Sequence, residues 1–231
     1  MSRGKITPNN ILHFNNKGNV DEDIDVPLKL SADNLLDFAS SDNVSDALKS
    51  LYGFSGLVSG VKPVCDDFAV CGFIRTVETS SFDWGTGIKA IYECNPGEIL
   101  FIKCSDEDYA IWGELASQSA LCHGVAATII VGASRDTVGI RKLEYPVFSS
   151  RICSCAGFAS NEGVMDSDLF VGNLVVKSGD FVVADVDGVV VIPQDKLDDV
   201  LLEVSKILDF ENELFDKVVN DNKRLDNLLD L

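Results

Sequence analysis

Two short apolar segments that alternate with helical patterns constrain the fold of this chain more than any other feature. Residues 99–102 (ILFI) and 126–131 (AATIIV) are short and apolar enough to be buried strands. Helical patterns cover residues 112–122, between these segments, and about 136–143, after the second one. An earlier apolar segment at residues 68–77 predicts another strand. Strands alternating with helices in this way predict an α/β fold.

Further short elements are predicted on either side of this region. A helical piece is expected around residues 88–92, ended by Asn95-Pro96-Gly97. After residue 143 the pattern is one of short strands and turns, with strands predicted at residues 146–148, 170–176, 181–184 and 189–192.

The N-terminal part of the chain differs from the rest in composition. Residues 1–30 are polar and Asn-rich without sustained periodicity, so we expect an N-terminal extension ahead of a single domain over residues 31–231. Ser31-Ala32-Asp33 is a candidate N-cap for a first helix containing Leu35, Leu36 and Phe38. A second helix is predicted from residue 42 or 43 to Gly53.

The C-terminal part is predicted to be a long amphipathic helix. Apolar residues recur at helical spacing over about residues 195–229, with a break expected near Phe210. This apolar stripe is longer than a small domain needs, so we expect part of it to pack on another subunit.

The chain is strongly acidic. Nineteen Lys and Arg residues against 37 Asp and Glu residues give a formal net charge of −18. Such a field repels the phosphates of nucleic acids and anionic lipid headgroups, so neither nucleic acid nor a membrane is an expected partner. A small anionic substrate would need a local positive feature, such as a metal ion, an arginine or a helix N-terminus.

Hydropathy and cysteine usage predict a cytoplasmic protein. No apolar run approaches the roughly 18–20 residues of a membrane helix, and the N-terminus lacks the apolar segment of a secretory signal. The seven cysteines are an odd number and most lie within apolar runs, so we expect them to be reduced core residues. Cys153 and Cys155 form the one close pair, and with two histidines a structural zinc site is not expected.

Several common catalytic and nucleotide-binding motifs are absent from the sequence. It contains no GxxxxGK[ST], GxGxxG or GxSxG motif. The two histidines are His13, in the polar extension, and His123, at a predicted helix end where the helix dipole favours a cation. A Ser-His-acid triad therefore has few candidate members.

The segment from Gly113 to Asp136 is the one that suggests chemistry. A predicted buried strand ends in the small residues 132–134, which deliver Arg135 and Asp136 side by side at a predicted helix start. Ligands of open α/β sheets bind at the carboxyl ends of strands. The residues themselves leave two interpretations open: a site for a small anion, or a helix cap at Asp136 with Arg135 in a surface ion pair.

The same residues resemble the signature of the RraA-like family, which includes the 4-hydroxy-4-methyl-2-oxoglutarate class II pyruvate aldolases. That signature is an acidic residue after Gly, twenty residues, and then Arg-Asp. Here Gly113-Glu114 is followed by residues 115–134 and Arg135-Asp136, with Glu in place of the commoner Asp. Other similar segments follow in the family's order within roughly residues 35–210: Val44-Ser45-Asp46-Ala47-Leu48, Pro96-Gly97-Glu98-Ile99-Leu100, Pro146-Val147-Phe148, Ser178-Gly179-Asp180 and residues 184–193.

The resemblance implies a compact β/β/α fold of the swivelling-domain type, assembled as trimers or hexamers with sites between subunits. In aldolases of the family a divalent ion, Mg²⁺ or Mn²⁺, is held largely through waters by the residue corresponding to Asp136. The counterpart of Arg135 binds the pyruvyl group of the substrate, and the counterpart of Glu114 orients a water of the metal.

Further site residues follow from the same resemblance. The backbone N–H groups after the Gly113-Glu114 pair, at Leu115 and Ala116, are expected to meet the substrate carboxylate. A glutamate from the C-terminal helix of a neighbouring subunit also reaches the metal site in aldolases of the family. Glu211 is the candidate for it, and Glu213 is the next choice, although either residue could simply be a solvated helix residue.

The implied activity is a metal-dependent lyase reaction on a pyruvyl substrate: aldol cleavage of the 4-hydroxy-4-methyl-2-oxoglutarate type, decarboxylation of oxaloacetate, or both. The alternative is a non-catalytic regulator that binds a ribonuclease, as some relatives do. A methyltransferase role is discounted because no S-adenosylmethionine loop is visible. Three departures from the aldolases bear on substrate choice: Glu at 114, Gly139 where many members carry an acid, and residues 149–165, which lack a Gly-rich run.

Overall fold

The computed structural model describes residues 32, 34–37 and 39–231. The predicted extension over residues 1–30 lies outside the described residues, as do Ser31, Asp33 and Phe38 of the predicted first helix. Within the described part of that segment, Leu35–Asp37 forms a single 3₁₀ turn, with Leu35 buried.

Helices separate most of the strands up to residue 147, and six strands then follow one another before the C-terminal helix. The strands are β1 (Lys62–Pro63), β2 (Val70–Thr79), β3 (Ile99–Cys104), β4 (Ala110–Trp112), β5 (Ala127–Ser134), β6 (Val147–Ile152), β7 (Val164–Met165), β8 (Leu169–Val171), β9 (Leu174–Val176), β10 (Phe181–Ala184) and β11 (Val189–Ile192). The helices are α1 (Ser41–Tyr52), α2 (Gly85–Ile91), α3 (Glu114–His123), α4 (Thr137–Leu143), α5 (Leu197–Val219) and α6 (Leu225–Leu228).

Nine of the described strands form one mixed sheet, which confirms the predicted α/β class. Its main path runs β1-β6-β5-β3-β2-β10-β11, while β4 pairs with β5 and β7 pairs with β2. Strands β2, β3, β5 and β6 are parallel to one another, as is β4 to β5. Strands β1, β7, β10 and β11 join this parallel part of the sheet in antiparallel fashion. Strands β8 and β9 form a separate hairpin.

Two apolar clusters stabilise this arrangement. The larger one surrounds the parallel strands, where all four residues 99–102 are fully buried. The smaller one joins α1 and the first half of α5 to β10 and β11, through residues such as Leu48, Phe181 and Val200. Burying each large apolar side chain contributes about 1.5–3 kcal/mol, so the continuous burial of β3 fixes the centre of the sheet.

The bounds of the helices and strands confirm some of the sequence predictions and correct others. Helix α1 and its end at Gly53, which has a left-handed backbone (φ 76°), are confirmed, as are β3, β10 and β11. The predicted strand at residues 170–176 is instead the β8–β9 hairpin. The C-terminal helix is continuous through Phe210 and breaks only after Val219.

The cysteines are only partly core residues. All seven are free thiols; Cys65, Cys94 and Cys104 are buried, whereas Cys122 and Cys155 are exposed. Burial raises the pKa of Cys94 and of Cys104 to about 12. These two thiols are therefore packing residues.

Among the described helices, even the 23-residue α5 lacks the apolar length that a bilayer crossing requires.

A buried carboxylate fastens the segment after residue 156 to the start of α2. Asp83 accepts hydrogen bonds from the amides of Gly85 (2.9 Å), Asn161 (2.8 Å) and Glu162 (2.9 Å) and from the Thr86 hydroxyl (2.6 Å). Burial by itself would raise the pKa of Asp83, but these hydrogen bonds outweigh burial and hold that pKa well below its usual range. Asp83 is thus ionised throughout the ordinary pH range.

We expect Asp83→Ala to lower the free energy of unfolding at pH 7 by about 3 kcal/mol, because it strands several buried donors. Since the pKa of Asp83 is lower in the folded state, its contribution is complete above about pH 4–5 and is lost as pH falls further. Urea titrations at several pH values measure both effects. Asp168→Ala, which removes an exposed partner of Lys177, is the matched control and should cost less than about 1 kcal/mol. Equal losses in the two variants would contradict this account of Asp83.

Candidate functional site

The Gly-Glu and Arg-Asp pairs lie together because two parallel strands end at the same edge of the sheet. Strand β4 pairs with β5 so that Trp112 lies opposite Ser134. Each pair directly follows one of these strands, and the Arg135 amide donates to the Trp112 carbonyl at 2.9 Å. The residues between the two pairs form α3 and β5, so the long spacing in sequence corresponds to direct contact in space.

Asp136 occupies an unusual backbone position at the centre of the site. Its φ of 57° lies in the left-handed region, which aspartate tolerates better than most residues. Its Oδ2 accepts a hydrogen bond from the Glu114 amide at 3.3 Å and lies 3.6 Å from Nε of Arg135. The Arg135 and Asp136 side chains are each 44% exposed, so both remain open to a ligand.

Gly113 makes the close approach of the two pairs possible. A Cβ at this position would lie 2.4 Å from Oδ2 of Asp136 and 3.3 Å from Cγ of Arg135. Its φ of −159° is accessible to any residue, so the lack of a side chain, rather than the backbone conformation, is what the site uses.

We expect Gly113→Ala to displace the Asp136 carboxylate while leaving the fold intact, because the clash falls on the end of an exposed side chain. The expected result is a loss of ligand affinity on the order of 10²-fold, with little change in melting temperature. Ligand or metal titration and thermal unfolding measure the two effects. A variant that binds as tightly as the wild type would show that the contact has no functional role.

The first turn of α3 directly follows Gly113 and carries backbone amides without an acceptor inside the helix. The first amides of a helix, here those of Leu115 and Ala116, have no acceptor within the helix. The helix dipole adds partial positive charge at the same end. Ser117 secures the turn, because its Oγ donates to the Gly113 carbonyl and accepts from Nε1 of the buried Trp112, both at 2.9 Å. The sequence alone did not predict this buried hydrogen bond between Trp112 and Ser117.

The Glu114 side chain lies against the neighbouring helix α4. Its carboxylate occupies space over Gly139, where a Cβ would lie 2.1 Å from Oε2. The structure thus brings Arg135, Asp136 and the backbone of Glu114 into contact, and the role predicted for these three residues stays a prediction. Their neighbours Leu115 and Val138 are 83% and 68% exposed, so the site is an open surface of this chain.

The donor set fits a hard divalent ion that keeps most of its waters. Mg²⁺ is typically bound by one or two carboxylates together with water and substrate oxygens, and Glu114 and Asp136 supply two carboxylates. Among the described residues there is no group of three or more His, Cys, Asp or Glu side chains placed to hold a metal.

Glu211 and Glu213 lie elsewhere in the described chain, on α5. Glu211 accepts a hydrogen bond from Nδ2 of Asn43 at 3.1 Å, and Glu213 pairs with Lys217. The role of Glu211 towards a neighbouring subunit stays a prediction.

His123, at the end of α3, packs edge-on against the Tyr92 ring. Two clefts of about 350 and 640 Å³ are lined by other residues, among them Arg75 and Arg141 respectively.

A family pattern and a sequence relative point to the same group of proteins. The sequence pattern of the RraA-like family, described as Aldolase/RraA, matches residues 41–191. A protein of Halalkalibacterium halodurans, provisionally named 4-hydroxy-4-methyl-2-oxoglutarate aldolase, is 31% identical over 180 residues, which cover 78% of this chain and 84% of that protein. The matched family region contains every candidate site residue except Glu211 and Glu213.

Solved structures support the same fold. An uncharacterized protein from Pseudomonas syringae superposes with a TM-score of 0.70 at 24% identity, covering 80% of this chain and 90% of that one. Streptomyces coelicolor RraAS2, described as an unusual member of the RNase ES inhibitor RraA protein family, gives a TM-score of 0.65 at 23% identity, covering 75% and 91%.

Proposed function

Because the chain belongs to the RraA-like family, we propose that it is a divalent-metal-dependent lyase acting on a pyruvyl substrate. The reaction would be aldol cleavage of a 4-hydroxy-4-methyl-2-oxoglutarate-type acid, decarboxylation of oxaloacetate, or both. The observation that carries the proposal is that Oδ2 of Asp136 lies against both Nε of Arg135 (3.6 Å) and the Glu114 amide (3.3 Å), beside the first turn of α3. Both reactions release pyruvate through an enolate, whose negative charge must be stabilised.

Arg135 is the proposed substrate-binding cation. Its guanidinium is half exposed, and its contact with Asp136 is a single Nε approach at 3.6 Å, which leaves its other donors for a ligand. A planar guanidinium matches a carboxylate or an α-keto acid through paired hydrogen bonds. In a chain of net charge −18, this local positive charge is what an anionic substrate needs.

The amides of Leu115 and Ala116 are proposed to receive the substrate carboxylate, next to Gly113. They point from a helix N-terminus, where backbone donors and the dipole favour anions. Because the turn is secured by Ser117 and Trp112, these donors are held in place before the substrate binds. Such preorganisation lowers the cost of stabilising charge in the transition state.

Asp136 and Glu114 are the proposed holders of Mg²⁺ or Mn²⁺. When bound, the ion would supply a Lewis acid that polarises the keto group. The Glu114 amide orients Oδ2 of Asp136 at 3.3 Å, which fixes one carboxylate for this task. The Glu114 carboxylate is proposed to hold a water that takes the proton of the substrate's C4 hydroxyl as the C3–C4 bond breaks. The proton then returns to C3 of the enolate, which becomes the methyl carbon of pyruvate.

A neighbouring subunit is proposed to complete the site. The apolar side chains beside it, Leu115 and Val138, are largely exposed in the single chain and would be covered in an assembly. A homotrimer or hexamer, with Glu211 reaching the metal from the next subunit, is the arrangement we propose.

The second candidate function is binding to a ribonuclease as a regulator. The structural similarity to a member of the RNase ES inhibitor RraA protein family favours it, as does the acidic charge of the chain. In this case the acidic surface would meet a basic segment of the partner, and the Arg135–Asp136 pair would have no chemical role.

A pyruvate-release assay tests the proposal. The purified protein is incubated with oxaloacetate, and separately with 4-hydroxy-4-methyl-2-oxoglutarate, in the presence of Mg²⁺, Mn²⁺ or EDTA. Because free divalent ions also decarboxylate oxaloacetate, each rate is compared with the same mixture without protein. Turnover that EDTA abolishes supports the lyase, whereas no turnover of either acid together with tight binding to a ribonuclease would favour the regulator.

A further inference from the structure

The contact between Glu114 and Gly139 joins the starts of two helices. A Cβ at position 139 would lie 2.1 Å from Oε2, 2.2 Å from Cδ and 2.7 Å from Cγ of Glu114. Real Cβ atoms essentially never approach other atoms so closely. Any residue other than glycine at 139 would therefore move the Glu114 carboxylate from its present place.

The backbone gives no separate reason for a glycine at this position. Gly139 lies inside α4, and it is absent from the glycines of positive φ. Gly139 is the third residue of this seven-residue helix, and the feature of its surroundings that a Cβ would disturb is the Glu114 carboxylate.

Within the lyase function proposed above, we propose that Gly139 is a positioning residue for the Glu114 carboxylate. The space that Gly139 leaves allows the longer acid at 114 to lie over the first turn of α4, where the Gly139 amide donates to the Asp136 carbonyl at 2.9 Å. Glu114 and Gly139 thus form a matched pair. The carboxylate next to the Arg-Asp pair is carried by residue 114 of α3, and not by residue 139 of α4, where many family members have an acid. This pairing explains together the two departures at positions 114 and 139.

The geometry makes the pair exchangeable. In an aspartate at 139 the carboxyl carbon would be one bond, about 1.5 Å, beyond the Cβ. It would therefore lie within about 4 Å of the present carboxyl carbon of Glu114, because the Cβ position is 2.2 Å from that atom. An acid at 139 can thus replace the one at 114, provided that position 114 is small.

The first test is Gly139→Ala, with Gly87→Ala as the matched control. Gly87 is also a buried helical glycine, but the atoms nearest to a Cβ there, in Ile102 and Trp112, lie at ordinary distances of 3.4 Å or more. We expect Gly139→Ala to weaken Mn²⁺ binding, measured by titration, about 10-fold, without lowering the melting temperature. Gly87→Ala should bind Mn²⁺ as the wild type does.

The second test moves the acid. Glu114→Ala should weaken Mn²⁺ binding about 10-fold or more, and the double variant Glu114→Ala/Gly139→Asp should recover most of that loss. The inference is overturned if Gly139→Ala binds Mn²⁺ like the wild type, or if the double variant binds no better than Glu114→Ala. A wild-type protein that binds Mn²⁺ but releases no pyruvate would refute the lyase proposal alone, whereas one that binds no Mn²⁺ would refute both.

Discussion

Asp136→Asn is expected to lower kcat/KM for pyruvate release on the order of 10³-fold. The amide keeps the size of the side chain and can still accept the hydrogen bond from Glu114, but it removes the negative charge that would hold the cation. Because the side chain is 44% exposed, the change should leave the melting temperature within a few degrees of the wild-type value. Steady-state kinetics over a range of Mg²⁺ concentrations measure the loss.

The control for this variant is Asp168→Asn. Asp168 is similarly exposed and also pairs with a cation, Lys177 at 3.3 Å, but it lies outside the group around Arg135. Its activity should equal that of the wild type. If Asp136→Asn keeps more than about a tenth of the wild-type activity, Asp136 does not hold an essential cation.

Arg135→Lys is expected to lower kcat/KM on the order of 10²-fold, and Arg135→Ala further. Lysine keeps the positive charge but lacks the planar set of donors that can bind a keto acid through two hydrogen bonds at once. A role limited to the ion pair with Asp136 would predict nearly full activity for the lysine variant, since lysine also pairs with carboxylates. Kinetics of both variants distinguish the two roles.

Arg224→Lys provides the matched control for the arginine change. Arg224 is an exposed arginine that pairs with Asp226 near the C-terminus, on a separate element from the site. Its replacement should alter neither kcat nor KM. Full activity of Arg135→Lys would contradict the proposed paired recognition of the substrate.

The centre of the fold was predictable because uniform burial leaves a clear pattern. Residues 99–102 are apolar without exception and lie between β2 and β5, so the pattern and the position agree. Strand β5 was harder to delimit, because Gly132-Ala133-Ser134 looks like a turn. The structure continues β5 through these residues: Ala133 and Ser134 pair with both β4 and β6, and Gly132 allows close packing by the Cys104 sulfur.

Other differences arise from long-range contacts that local patterns do not contain. The helical pattern over residues 112–122 includes Trp112, yet Trp112 ends β4. The three residues of β4 form a strand because β5 lies beside them. Asp83 shows no sequence signal for its loop contacts, because its partners Asn161 and Glu162 are far away in the chain.

The grouping of Glu114, Arg135 and Asp136 was predicted from a resemblance of spacing, and the parallel pairing of β4 and β5 gives it a physical reason. The contact between the Glu114 carboxylate and Gly139 was not predicted from the sequence. At position 139 the sequence shows only that an acid is missing, and the distance between the two residues depends on how α3 and α4 pack.

The central claim is that Arg135 and a cation held by Asp136 bind one small keto acid together. Oxalate, a planar dianion that resembles the enolate of pyruvate, tests this claim directly by calorimetric titration with and without Mn²⁺. We predict that saturating Mn²⁺ tightens oxalate binding at least about 10-fold, a coupling of about 1.4 kcal/mol, and that Arg135→Ala weakens the oxalate binding that remains. Oxalate affinity that is unchanged by Mn²⁺, or the absence of oxalate binding altogether, would contradict the account.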